Sequence, residues 1–124
     1  MMFSPALPAD MPIPTPREAG PLRVVSFLRT DVSGAATELH YQVIHHACVE
    51  RRFEIVGEMI GDAHTWRAPF AALVTVCTTR GADAVLTPSP DHLGPGLFTV
   101  SAVSAVLTLE PPEIWVRGKR VVWP

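Results

Sequence analysis

Residues 22–29 (LRVVSFLR) are apolar and β-branched almost without interruption and stop at a polar cluster, the pattern of a strand buried on both faces. Asp31 and Ser33 then offer side-chain oxygens suited to a helix N-cap. Ala36, Leu39, Val43 and Ala47 follow at three- and four-residue spacing, which predicts a helix to about Arg51 with these four on its inner face. Residues 53–60 (FEIVGEMI) alternate and meet a turn at Gly61-Asp62, so they read as a second strand. Pro69 suits a first helical turn, Phe70, Leu73, Val74 and Cys77 share one face, and Gly81 supplies a stop, which together predict a second helix. Residues 83–87 (DAVLT) form a third strand, broken by Pro88-Ser89-Pro90.

Residues 97–109 are rich in valine and threonine. Their length, the preceding Gly94-Pro95-Gly96 and the following Pro111-Pro112 favour a buried helix that is apolar nearly all round. Residues 113–117 and 119–123 flank Gly118 as a hairpin or a single kinked strand. The resulting β-α-β-α-β-α-β order predicts an α/β fold of three layers, an open and mainly parallel sheet with helices on both faces. Ligands of such folds sit at the carboxyl ends of the strands, here residues 29–33, 62–67 and 88–95. Residues 1–21 contain six prolines and no periodicity, so the expected organisation is a flexible arm over 1–21 and one α/β domain over 22–124.

Composition narrows the function classes. At 124 residues, 48% apolar and 18% charged, the chain has the makings of one well-formed core. A net charge of -2 provides no basic footprint for nucleic acid, so autonomous DNA binding is expected to be weak or absent. The prolines near the start interrupt any signal peptide, and residues 97–109 are too few to span a bilayer. Cys48 and Cys77 both fall on helical segments, which favours buried thiols over a disulfide and a cytoplasmic setting.

FLRTDVSGAATELHYQ resembles the opening of the catalytic domain of serine recombinases, the resolvase/invertase family, through Arg29, Val32-Ser33, Leu39 and Gln42. Residues 51–96 are similar to the family's next features: a strand ending in Asp, an Arg before a small hydrophobic helix, a Gly-Ala-Asp strand and an Asp-Arg-Leu-x-Arg motif. The resemblance spans about residues 22–117 and implies a resolvase-like α/β domain in which a serine attacks a DNA phosphodiester while arginines neutralise the phosphoryl oxygens. On it, the nucleophile falls at Ser33 counting back from Gln42, with two inserted residues, or at Asp31 counting on from Arg29; Arg29 and Arg67 match arginines of the site, and Asp91 matches the aspartate of the motif. Both arginines of that motif are missing, because the chain reads Asp91-His92-Leu93-Gly94-Pro95. Losing one positioned donor of this kind costs on the order of a hundredfold to a thousandfold, and two fixed charges are lost here.

The resemblance therefore implies a degenerate, stand-alone pseudoenzyme without the family's long helix and DNA-binding appendage, acting as a protein-interaction or regulatory module. Its vestigial site candidates are Ser33, Arg29, Arg67, Asp91 and His92. Self-association through the apolar helix at 97–109, giving a homodimer or other homo-oligomer, is the expected mode. Two alternatives remain open: an active strand-transfer domain using Ser33, and a small-anion or nucleotide-binding site at the strand ends. From the residues alone, Ser33 reads first as a helix N-cap, and Arg29 and Arg67 read equally as ion-pair partners of Asp31, Asp62 or Asp91.

No cofactor or metal is expected. His40, His45, His46 and Cys48 provide only one pair at useful helical spacing, His45 with Cys48, and His64 and His92 have no obvious third ligand. Trp66, Trp115 and Trp123 read as core or interface packing.

Overall fold

A computed structural model describes residues 20–122 of the chain. Nearly all of the proline-rich arm predicted over 1–21, and Trp123, lie outside those residues. Strands β1 (Arg23–Arg29), β2 (Glu54–Gly61), β3 (Ala84–Thr87), β4 (Ala105–Leu109), β5 (Pro112–Val116) and β6 (Lys119–Val122) form one sheet in the order β2-β1-β3-β4-β5-β6. The β1–β2, β1–β3 and β3–β4 pairs are parallel, and β4–β5 and β5–β6 are antiparallel. The helices are α1 (Thr30–Ser33), α2 (Thr37–Arg51), α3 (Pro69–Arg80) and α4 (Gly96–Val103), with short 3-10 turns at Gly34–Ala36 and Pro90–His92.

The two-residue period of the central strands sorts their side chains into two cores. Val24 and Leu28 of β1, with Ala84, Leu86 and Leu107, pack with Ile44 and Cys48 of α2. Val25 and Phe27, with Val85 and Val106, pack on the other face with Leu73 and Cys77 of α3 and Leu97 and Val100 of α4. The three-layer α/β arrangement with helices on both faces and a mainly parallel sheet follows from this division. β1 and β3 carry apolar residues on both faces because both faces are covered.

Two elements depart from the sequence expectation. The helix expected over 97–109 is instead α4 followed directly by β4, with Ser104 extended at φ -150 and ψ 141 between them. The sequence AVLTL pairs in parallel with β3 residue for residue, from Ala84↔Ala105 to Thr87↔Thr108. A strand there supplies backbone partners for the outer edge of β3, which a helix could not. The apparent all-round hydrophobicity of 97–109 came from joining a half-exposed helix to a fully covered strand. The second departure is the phase of α2. Ile44, Ala47 and Cys48 are its buried residues, whereas Leu39, expected inside, is 63% exposed. A helix with apolar residues on several faces admits more than one inward stripe, and packing on Val24 and Leu28 selects this one.

Other expectations hold. α3 starts at Pro69 and ends at Arg80 with Gly81 as its C-cap, and residues 112–122 are a hairpin. Its two-residue turn has positive φ at both Arg117 (53°) and Gly118 (77°), the backbone of a type I′ turn. Ser101 of α4 holds this turn, its carbonyl accepting from Arg117 N–H at 2.7 Å and its hydroxyl from Gly118 N–H at 3.0 Å. Gly96 permits the close approach of α4 to α3, since a Cβ there would lie 2.5 Å from the Phe70 ring. Trp66 stacks on Phe27 at 5.6 Å, and Trp115 meets Phe98 edge-on at 5.9 Å, so both described tryptophans pack as expected. Among the described residues no helix is long and apolar enough to cross a membrane.

Candidate functional site

β1 is flanked by β2 on one side and β3 on the other, so the segments leaving the carboxyl ends of β1 and β3 diverge and open a crevice between them. Arg29 is the last residue of β1, and the short helix α1 follows at once with Asp31 and Ser33. Gly34 then turns the chain at φ 56 and ψ -128, a backbone that a Cβ disfavours, and a 3-10 turn leads into α2. Thr37 Oγ1 donates to Gly34 O at 2.8 Å and fixes the break. Ser33 thereby faces His40 in the first turns of α2, with Oγ 2.6 Å from His40 Nδ1. From the other side, the 3-10 turn after β3 brings His92 to 3.5 Å from the same oxygen through Nε2. The ends of the two strands are tied beneath by Thr87 Oγ1, which donates to Phe27 O at 2.8 Å.

The hydrogen bonds assign the protons. Arg29 N–H donates to His92 Nδ1 at 2.9 Å, so that nitrogen is an acceptor and the ring carries its proton on Nε2, directed at Ser33. The Ser33 hydroxyl donates to His40 Nδ1 when that ring carries its proton on Nε2. His92 is only 1% exposed, and burial, with His40 and Arg29 nearby, pushes its pKa down to about 4. It is therefore a neutral hydrogen-bond donor at neutral pH.

Ser33 does not cap a helix, contrary to the expectation from its position: it is the last residue of α1 and makes no side-chain cap hydrogen bond. Nor does Asp31 cap one. Both its oxygens take the Arg29 guanidinium through Nε and Nη2, and this contact holds the carboxyl below its ordinary pKa. The Arg29 side chain is thus turned to Asp31, while its backbone N–H orients the His92 ring toward Ser33. Arg67 lies exposed in the loop between β2 and α3 and has no ion-pair partner among the described residues. Asp91 is exposed beside His92. The cluster consequently joins Ser33, His92 and the Arg29 backbone, and omits Arg67.

The residue that sequence reasoning missed is His40. It was visible only as one of several histidines on a helix, because Ser33 and His40 are seven apart and meet only across the Gly34 break. His92 meets His40, with ring centroids 6.2 Å apart, and not His64, whose N–H closes a turn on Asp62 Oδ1. His45 is taken by Glu58 at 2.7 Å. Burial raises the Cys48 thiol to about 11, so it stays protonated at neutral pH. Among the described residues no group of three or more His, Cys, Asp or Glu is arranged to hold a metal ion. No family model, no curated protein and no solved structure matches the chain.

Proposed function

We propose that this chain is a recombinase-like domain that does not transfer DNA strands and serves as a protein-interaction or regulatory module. The observation that carries the reading is electrostatic: among the described residues the side-chain partners of Ser33 are two histidines, and no arginine or lysine side chain bonds to it. The Arg29 guanidinium is held by Asp31, His92 is uncharged, and Pro95 occupies a position where the family resemblance implies an arginine. A phosphodiester brings its own negative charge and develops more at the transition state, so a site without a fixed cation gives it no charge neutralisation. The same feature disfavours a small-anion or nucleotide site. Association with a second copy or another protein is supported by Phe98 and Val103 of α4, 61% and 66% exposed. This is a much smaller apolar surface than a helix over 97–109 would have presented.

The test combines a denaturing-gel assay for a covalent protein–DNA adduct on supercoiled plasmid with sedimentation equilibrium of the full chain. No adduct and a mass that rises with concentration are expected. A DNA adduct that disappears in Ser33→Ala overturns the loss of strand transfer, and a strict monomer overturns self-association.

A further inference from the structure

Ser33 has what a nucleophilic hydroxyl needs apart from charge. Its oxygen lies 2.6 Å from His40 Nδ1, which accepts its proton in the tautomer protonated on Nε2, and a second histidine N–H is aimed at it from 3.5 Å. That longer distance is informative. It is poor for a bond to Oγ itself, yet it suits an oxygen attached to the atom Ser33 attacks, which would lie a little over 2 Å from Oγ and within reach of His92 Nε2–H. The donor is preorganised, because Arg29 N–H fixes its tautomer and the surrounding core fixes its ring. Ser33 and His40 are half-buried, and Val32, Gly34 and Ala35 beside them are exposed, so the serine lies near the surface with His92 buried behind it.

We propose that Ser33 is a nucleophile toward uncharged, activated acyl groups, with His40 as its base and His92 as the donor to the developing oxyanion. Ser33 Oγ forms a bond to the acyl carbon, and its proton passes to His40 Nδ1. The acyl carbon's bond to the leaving alkoxide or thiolate breaks, and His40 returns the proton to that group. Nothing is oxidised or reduced. Water attacking the acyl-serine by the reverse proton path would regenerate the hydroxyl. The preference for uncharged substrates rests on the charge neutralisation argued above, whereas the nucleophile does not.

The experiment treats the full chain with p-nitrophenyl acetate and maps acetylation by peptide mass spectrometry, with bis(p-nitrophenyl) phosphate as the anionic comparison. Acetyl-Ser33 in the wild type is the expected result, absent in Ser33→Ala. Its rate should fall on the order of 100-fold to 10,000-fold in His40→Ala, with recovery on adding imidazole, which a merely structural role would not permit. His92→Asn, which keeps an acceptor for Arg29 N–H and places no N–H at the position of Nε2, should slow acylation on the order of a hundredfold. No acetyl group on Ser33 of the folded wild type, or equal acetylation with His40 removed, overturns the proposal. Ser33-dependent cleavage of the phosphodiester overturns only the selectivity for uncharged substrates, and with it the preceding section's reading.

Discussion

Burying a neutral His92 makes the fold sensitive to acid in a defined window. In the unfolded chain this histidine has an ordinary pKa near 6.5, and in the folded protein burial lowers it to about 4. Between those values the unfolded chain binds the extra proton and the native protein does not, so stability falls as pH falls from about 6.5 to about 4 and levels off below. A displacement of this size corresponds to a full effect of roughly 3 kcal/mol, of which roughly 2 kcal/mol is lost between about pH 7.5 and about pH 5. The assay is urea unfolding followed by circular dichroism at those two pH values for the wild type and His92→Asn. The asparagine can still accept from Arg29 N–H but does not titrate, so its own packing cost lowers both values and cancels from the difference. The wild type should lose about 2 kcal/mol more than the variant over this interval. Parallel losses in the two proteins would show that His92 is not held neutral and would remove the basis for treating it as a fixed donor.

Other consequences of the packing can be checked by unfolding, spectroscopy and binding. Leu73→Ala removes a side chain with no exposed surface from the α3 face of the core and should cost about 2–5 kcal/mol in urea melts. Gly96→Ala places a methyl group against the Phe70 ring and should cost about 1–3 kcal/mol, with tryptophan fluorescence reporting any displacement of α4 from Trp115. Gly34→Ala strains the turn that brings Ser33 to His40; a cost of about 1–3 kcal/mol is expected, together with a changed His40 ring resonance by NMR. Asp31→Asn releases the Arg29 guanidinium, so phosphate binding measured by calorimetry should appear in the variant and not in the wild type.

Much of the scaffold is legible in the order of residues. Continuous apolar runs of the kind in β1 and β3 occur where a strand is covered on both faces, and Pro69 and Gly81 mark the ends of α3 through fixed backbone preferences. The alternation of Val24 and Leu28 with Val25 and Phe27 already implies two separate cores. These are local properties, set by the allowed backbone angles and by which positions share a face. Residues 97–109 were not decided locally. Valine, threonine and serine fit either state there, and only the unpaired edge of β3 selects a strand from Ala105 onward.

The candidate site divides in the same way. The chain's own pattern marks the three strand-end segments, so Ser33 and His92 were identifiable as residues at the ends of β1 and β3. Their partners were not. The pairing of Ser33 with His40 depends on one glycine break, and the tautomer and neutrality of His92 depend on the Arg29 backbone and on burial beneath two strand ends. Sequence by itself determined most of the elements, because periodicity and backbone preference are properties of the chain. Tertiary structure alone decided which hydroxyl meets which imidazole and in what charge state, because contact and desolvation exist only once distant segments are brought together.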